Sequence, residues 1–257
     1  MQSLWYPRMQ SLWSFPRRAA FAAVALVTAL SPAAYDRAAR QVAARQIYFS
    51  AWQVLPGFTL ACALLSTILI RIVAQTAHDY GMSGYALHLT ERVLVLELIP
   101  LFAALFVAVR SGSAINTEIA LMHIRGDLEA LQRAGKDPLR HEIMPRVIGS
   151  AIAVMLLCLL NCAFALLLTY FALYGLSPGG LAQFLRITGK VFGPQTSIAL
   201  VLKTLLFGVS VAVIPITAAL ATPRVPRLAP VAVLRGMVRL MIALVLIEGV
   251  FLALQYS

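Results

Sequence analysis

The sequence predicts an all-α integral membrane protein with about five transmembrane helices, an N-terminal interfacial helix and a further cytoplasmic helical segment after the second span. Three observations carry the core of that prediction. Of the 257 residues, 61% are hydrophobic. Only 12% are charged, about half the share usual in a soluble domain. The apolar runs approach the roughly 20 residues that a helix needs to cross the hydrocarbon core of a bilayer.

The N-terminal residues 1–45 read as a cytoplasmic tail with an amphipathic helix lying on the membrane surface. The run Ala19–Leu30 is too short to span, and the basic stretch DRAARQVAARQIY follows it. An interfacial helix keeps those arginines near lipid head groups. The same stretch, RRAAFAAVALVTALSPAA, also has the two arginines, short apolar run and small residues of a signal peptide, even a twin-arginine one. The pentapeptide MQSLW occurs at Met1 and again at Met9, which points to an unstructured tail or an alternative start rather than a domain repeat.

Residues 46–257 form the second region, with spans expected at 51–74, 93–109, 147–174, 198–221 and 237–254. The second has room to extend upstream through GYALHLTER. The third is long enough to cross with tilt. Between the third and fourth spans, Gly175–Ser197 is punctuated by Gly and Pro around a short amphipathic middle, which predicts an outer loop with a small interfacial helix.

The net charge of +11 suggests nucleic acid in a soluble protein, but no nucleic-acid motif accompanies it. Orientation explains it better. Six basic residues precede the first span (Arg8, Arg17, Arg18, Arg37, Arg40, Arg45). Six follow the second (Arg110, Arg125, Arg133, Lys136, Arg140, Arg146), and four precede the fifth (Arg224, Arg227, Arg235, Arg239). The other side carries five: Arg71, Arg92, Arg186, Lys190 and Lys203. Sixteen against five places the N-terminus in the cytoplasm and, with five spans, the C-terminus outside.

The segment after the second span is the least expected in so apolar a chain. SGSA at Ser111–Ala114 offers small side chains that let neighbouring helices approach, and Ser113 or Asn116 suits a helix cap. Ile119, Met122, His123, Leu128 and Leu131 recur at helical spacing, with Asp127, Glu129 and Arg133 between them. Gly135 then ends the helix, and KDPLR begins another with Pro138 early in it. A polar-faced hairpin of this kind is a docking surface for a soluble partner or a plain solvated connector.

LELIPLFAALFVAVRSGSAINTEIALM, followed by DLEALQRAGKDPLRHEIMPR, resembles the permease family of MlaE and YrbE, the membrane subunits of ABC transporters that move lipids with MCE-domain proteins. The family pattern runs E-L-G-P, then A-G-R-x-G-S-A-x-x-A-E-(I/L)-G-x-M, then D-P and P-R. Glu97, Leu98 and Pro100 match the first element. Arg110, Gly112, Ser113, Ala114, Glu118 and Met122 match the second, and Asp137, Pro138, Pro145 and Arg146 the last two. RQIY at Arg45–Tyr48 resembles the lead into the family's first span. The sequence diverges at Leu96, Ile99, Val109 and Ser111, and TPRVPRLAPVAV replaces a Gly-rich loop before the last span.

The resemblance implies a homodimeric permease in a bacterial inner membrane. A separate ABC ATPase would bind on the cytoplasmic face and an MCE-domain protein on the outer face, with phospholipid or a similar amphiphile as cargo. It makes Asn116–Gly135 the coupling helix, with Asn116, Glu118, Met122, Arg125, Asp127 and Glu129 expected to contact the ATPase and Glu118 and Arg125 expected in charge pairs across the subunits. It places Leu96, Glu97 and Pro100 on the lipid path. The alternative is a membrane scaffold that anchors a cytoplasmic partner without transport.

Glu97, Lys203 and Glu248 lie inside spans, where a charge is costly unless paired or wet. Lys203 and Glu248 are expected to pair with each other, holding the fourth and fifth helices in register. Cys158 and Cys162 share a helix face, and with Cys62 read as buried, reduced thiols. His78, His88, His123 and His141 are scattered near span ends, and His78 with Asp79 is a weak cation pair at most. The sequence contains no G-x-x-x-x-G-K-[ST], so the chain has no phosphate-binding loop of its own. Neither a catalytic residue, a metal site nor a cofactor is expected, and nothing clusters His, Asp and Glu as a lipid-modifying enzyme would require.

Overall fold

The computed structural model describes residues 44–82, 85–175, 178–221 and 229–256. The expected surface helix within residues 1–43, and the TPRVPRL stretch with Arg224 and Arg227, lie outside these. The described residues form seven helices: α1 (Ala44–Asp79), α2 (Ala86–Arg125), α3 (Asp127–Arg133), α4 (Leu139–Tyr174), α5 (Leu181–Val191), α6 (Pro194–Leu220) and α7 (Ala229–Tyr256). Five of them, α1, α2, α4, α6 and α7, are long and apolar enough to cross a membrane. The fold is the expected all-α one, with α5 as the small helix of the loop between the third and fourth spans.

The second span is much longer than 93–109. α2 begins upstream, through the ALHLTER stretch, and runs 40 residues to Arg125. The helix does not end with the expected span at 109. The chain stays helical there, and Gly126, at φ 80°, makes the break. A left-handed backbone costs glycine nothing, which is why the helix ends at this residue. Gly135, at φ 75°, ends α3 as expected. Ser113 caps nothing: its hydroxyl donates back to the Val109 carbonyl at 2.5 Å and the Arg110 carbonyl at 3.2 Å. Asp137 does the capping for α4, accepting the Leu139 N–H at 3.0 Å.

Four helical stretches are widened to π geometry: Tyr48–Trp52, Glu91–Leu98, Ala108–Gly112 and Leu139–Ile143. Three of them stand just before a proline, Pro56, Pro100 and Pro145. A proline ring has no N–H to donate and collides with the carbonyl a turn earlier, and a widened turn relieves both problems.

α4 and α6 pack along each other at the centre. α6 also lies against α7 and the inner part of α2, while α4 supports α1 and the middle of α2. Their closest approach is at Gly208, where an added Cβ would fall on the Ala151 Cα and lie 3.1 Å from the Ser150 carbonyl. The Ser150 hydroxyl uses the proximity, donating to the Gly208 carbonyl at 3.0 Å. A second close approach uses Pro215, which frees the Val211 carbonyl by the same lost N–H. Gly112 of α2 lies against that carbonyl, and a Cβ there would stand 3.3 Å from it. The small residues of SGSA thus serve helix contact. Outward, Leu60, Leu64, Ile68 and Ile72 line one exposed stripe of α1 and Leu234, Val238, Ile242 and Val245 one of α7. Such stripes suit hydrocarbon as their solvent.

Gly208→Ala should therefore push α4 and α6 apart and lower stability by about 1–3 kcal/mol, the usual cost of overpacking a tight contact. Gly57→Ala, where nothing stands within 4 Å of the new methyl, should be near neutral. Thermal unfolding of the two variants in one detergent checks this, and equal midpoints would refute the tight crossing.

Candidate functional site

Three buried charges from three helices meet within the bundle. Lys203 of α6, 2% exposed, stands between Glu97 of α2 and Glu248 of α7, at 7% and 6%. Its ammonium pairs with Glu97 Oε2 and straddles Glu248, 3.0 Å from Oε1 and 2.9 Å from Oε2. The expected pair is thus present as part of a trio that includes Glu97. Glu97 is the twelfth residue of α2, about 17 Å along the axis at 1.5 Å per residue. Its carboxylate is held inside the bundle by Lys203 and does not reach out along the helix.

Local backbone chemistry explains the place. Pro100 has no N–H for the Leu96 carbonyl, its partner in α geometry, or for the Val95 carbonyl, its partner in π geometry. Both carbonyls find donors on other helices. The Lys203 ammonium donates to Leu96 O at 3.2 Å, and the Cys162 thiol donates to Val95 O at 3.4 Å. Leu96, Glu97 and Pro100 therefore act as one unit: the proline frees the carbonyl, and the lysine drawn to it binds the neighbouring carboxylate. Cys162 is more than an inert apolar residue, since its weak donor fills a real vacancy. Cys62, Cys158 and Cys162 are all free and buried, with the last two sulfurs 3.7 Å apart.

The end of the bundle near the Gly126 break holds a second polar group. Arg146 at the start of α4 donates to Glu142 Oε2 at 2.5 Å and to the Glu142 carbonyl at 2.6 Å, and reaches Glu118 Oε2 of α2 at 3.1 Å. The arginine side chain is 11% exposed, Glu118 60%. Glu118, expected to pair across subunits, is engaged within the chain and ties α2 to α4. Asn116 turns inward and is fully buried. Its amide donates to the Val233 carbonyl of α7 at 3.3 Å, and it lies so close to Gly236 that a Cβ there would collide with it. Its place is a helix–helix contact rather than a docking face. Glu129 is also buried, while Arg125 and Asp127 are exposed and Met122 half-buried at the Gly126 break.

One acid escaped sequence reasoning. Glu91, fully buried in the widened stretch of α2, accepts a hydrogen bond at Oε1 from the Thr188 hydroxyl of α5. It stands beside Arg92 near a span end, where a charge reads as an interface residue. Its one signal was the upstream extension of the second span, which moves it inside the helix. No group of three His, Cys, Asp or Glu suited to a metal occurs among the described residues. His78 and Asp79 stand 3.8 Å apart on the surface.

Removing Lys203 alone leaves two buried carboxylates without their cation, which costs about 3–5 kcal/mol in comparable buried pairs. The triple variant Lys203→Met, Glu97→Gln, Glu248→Gln should lose far less than the sum of the three single losses, because the groups share one interaction. Unfolding of all four variants under one condition measures this, and additive losses would show that the charges act independently.

The Permease MlaE family model matches residues 43–254. A probable ABC transporter permease protein of Rickettsia prowazekii is 31% identical over 122 residues, 47% of either chain. A probable ABC transporter permease protein of Synechocystis is 28% identical over 164 residues, 61% of either chain. The intermembrane phospholipid transport system permease protein MlaE of Haemophilus influenzae is 33% identical over 118 residues, 42% of this chain and 43% of the relative. The chain thus spans about half the length of the curated relatives it matches. With the family model covering nearly all of the described helices, the chain belongs to the MlaE permease family.

Proposed function

We propose that this chain is the transmembrane permease subunit of an ABC transporter that moves phospholipid or a similar amphiphile between a bacterial inner membrane and an MCE-domain protein. ATP is hydrolysed by a separate subunit. The family match over 43–254 carries the reading, and the phospholipid transport named for the Haemophilus influenzae relative supports the cargo. Two copies form the transmembrane core, with the N-terminus cytoplasmic and the C-terminus periplasmic.

In this reading Leu96, Glu97 and Pro100 border the lipid path, and the trio braces it from behind. A carboxylate fixed by Lys203 on α6 and shared with Glu248 on α7 makes α2, α6 and α7 move as one body around the path. At the inner end, the exposed Arg125 and Asp127, flanking the Gly126 break, form with α3 the face offered to the ATPase. Glu118, through Arg146, passes the push from that face to α4. Met122 lies half-buried at its root, and Asn116 and Glu129 hold it to the bundle from within.

Purifying the chain with the products of neighbouring genes and assaying ATP-dependent movement of labelled phospholipid tests the reading. An ATPase that co-purifies and drives lipid movement supports it, an ATPase without lipid movement favours the scaffold, and no ATPase partner refutes it. Within an active complex, Glu118→Lys should lower lipid moved per ATP by about tenfold, the order expected when a charge-assisted contact of about 1.5–3 kcal/mol becomes repulsive. Glu118→Gln, which keeps an acceptor for Arg146, should stay closer to the parent. Normal coupling in Glu118→Lys would remove the Arg146 bridge from the transmission path.

A further inference from the structure

We propose that α5 is a lid over the outer end of the bundle and that the Glu91–Thr188 hydrogen bond is its latch. This rests on the transport reading above. α5 meets the bundle through three side chains, Phe184, Thr188 and Val191, spaced four and three residues apart and so aligned on one face. Phe184 packs edge-on against Tyr170 and Tyr174 of α4, with ring centroids 5.2 and 6.4 Å away. Val191 enters the apolar core that contains Leu94, Val95 and Leu96. Thr188 stands between these contacts and donates to Glu91. The other face, with Leu181, Leu185, Arg186 and Lys190, is exposed.

The latch is poised rather than permanent. Two apolar contacts hold α5 down at little cost. Between them the Glu91 carboxyl is fully buried, with Thr188 on one oxygen and no hydrogen-bond donor to Oε2 among the described residues. A buried acid with one side half-served pays for its desolvation, and lifting α5 returns it to water. The closed and open positions are thereby brought near in free energy, as a gate requires. Glu91 also begins the widened stretch of α2 that Glu97 nearly ends. Release of the lid frees one end of that stretch while Lys203 holds the other. Glu91 is a positioning residue in this scheme: it touches α5, and α5 closes the outer end above the charge trio.

The test uses spin labels on the full chain in phospholipid nanodiscs, at Gln183→Cys on α5 and Tyr85→Cys at the start of α2, both exposed. The native cysteines are buried, and the parent without added cysteines gives the labelling blank. The parent pair should show one short distance. Thr188→Val, the same shape without the donor, should raise the population at longer distance by about tenfold, as loss of the donor to a buried acceptor implies. Thr188→Ser should restore the short distance. An unchanged distribution in Thr188→Val refutes the latch. In the complex with its ATPase, Thr188→Val should lower lipid moved per ATP while hydrolysis continues, and Thr188→Ser should recover it. Unchanged lipid movement in an opened Thr188→Val variant refutes the lid. A parent complex that moves no lipid counts against the transport reading, while the distance measurement still decides the latch.

Discussion

The bundle depends on the placing of one ammonium in apolar surroundings. Lys203 has water on no side, so its charge must be met within the protein. Glu97, Glu248 and the Leu96 carbonyl do this together. Each comes from a fixed height on its own helix, so the contact sets the register of α2, α6 and α7 at once. Apolar packing in a membrane lacks that selectivity, since lipid chains compete with Leu and Val for the same surfaces. A misplaced helix would strand a charge, and the cost of stranding excludes alternative registers more sharply than loss of van der Waals contact.

The same logic reaches the backbone through proline. At Pro100 the missing N–H frees carbonyls that Lys203 and Cys162 satisfy from two different helices. At Pro215 it frees a carbonyl against which Gly112 packs. In each case a local defect in one helix becomes a specific contact with another. Proline is tolerated in membrane helices where neighbours re-satisfy the freed groups, as Lys203 and Cys162 do at Pro100.

Most of the helical architecture was legible because long apolar runs report on the solvent, and the solvent of each span is uniform. The Lys203–Glu248 contact was legible too, because two opposite charges inside membrane spans have few other solutions. The third member was not, because Glu97 lies near the edge of the apolar run. The upstream extension of α2 puts it well inside the helix, and its partner lies on another helix. Asn116 misled for a related reason. A polar residue in a polar-looking segment reads as surface, whereas in a helix bundle an amide is also an adhesive between backbones. Its partner, the Val233 carbonyl, lies 117 positions away, and no local pattern announces so distant a contact. SGSA was legible as a site of close helix approach, because small side chains have that use whether or not the chain turns there.

α2 gathers these contacts along one rod. From its outer end it meets α5 at Glu91, α6 and α7 at Glu97, α6 again at Gly112, α7 at Asn116 and α4 at Glu118. Its 40 residues run to about 60 Å at 1.5 Å per residue, twice the hydrocarbon thickness. Its two widened stretches lie at Glu91–Leu98 and Ala108–Gly112, so the regular helix from Ile99 to Val107 is a stiff middle between softer joints. The Arg146–Glu118 contact stands beyond the second of these stretches and Glu97 stands within the first, so the regular middle segment separates the two polar groups of the bundle.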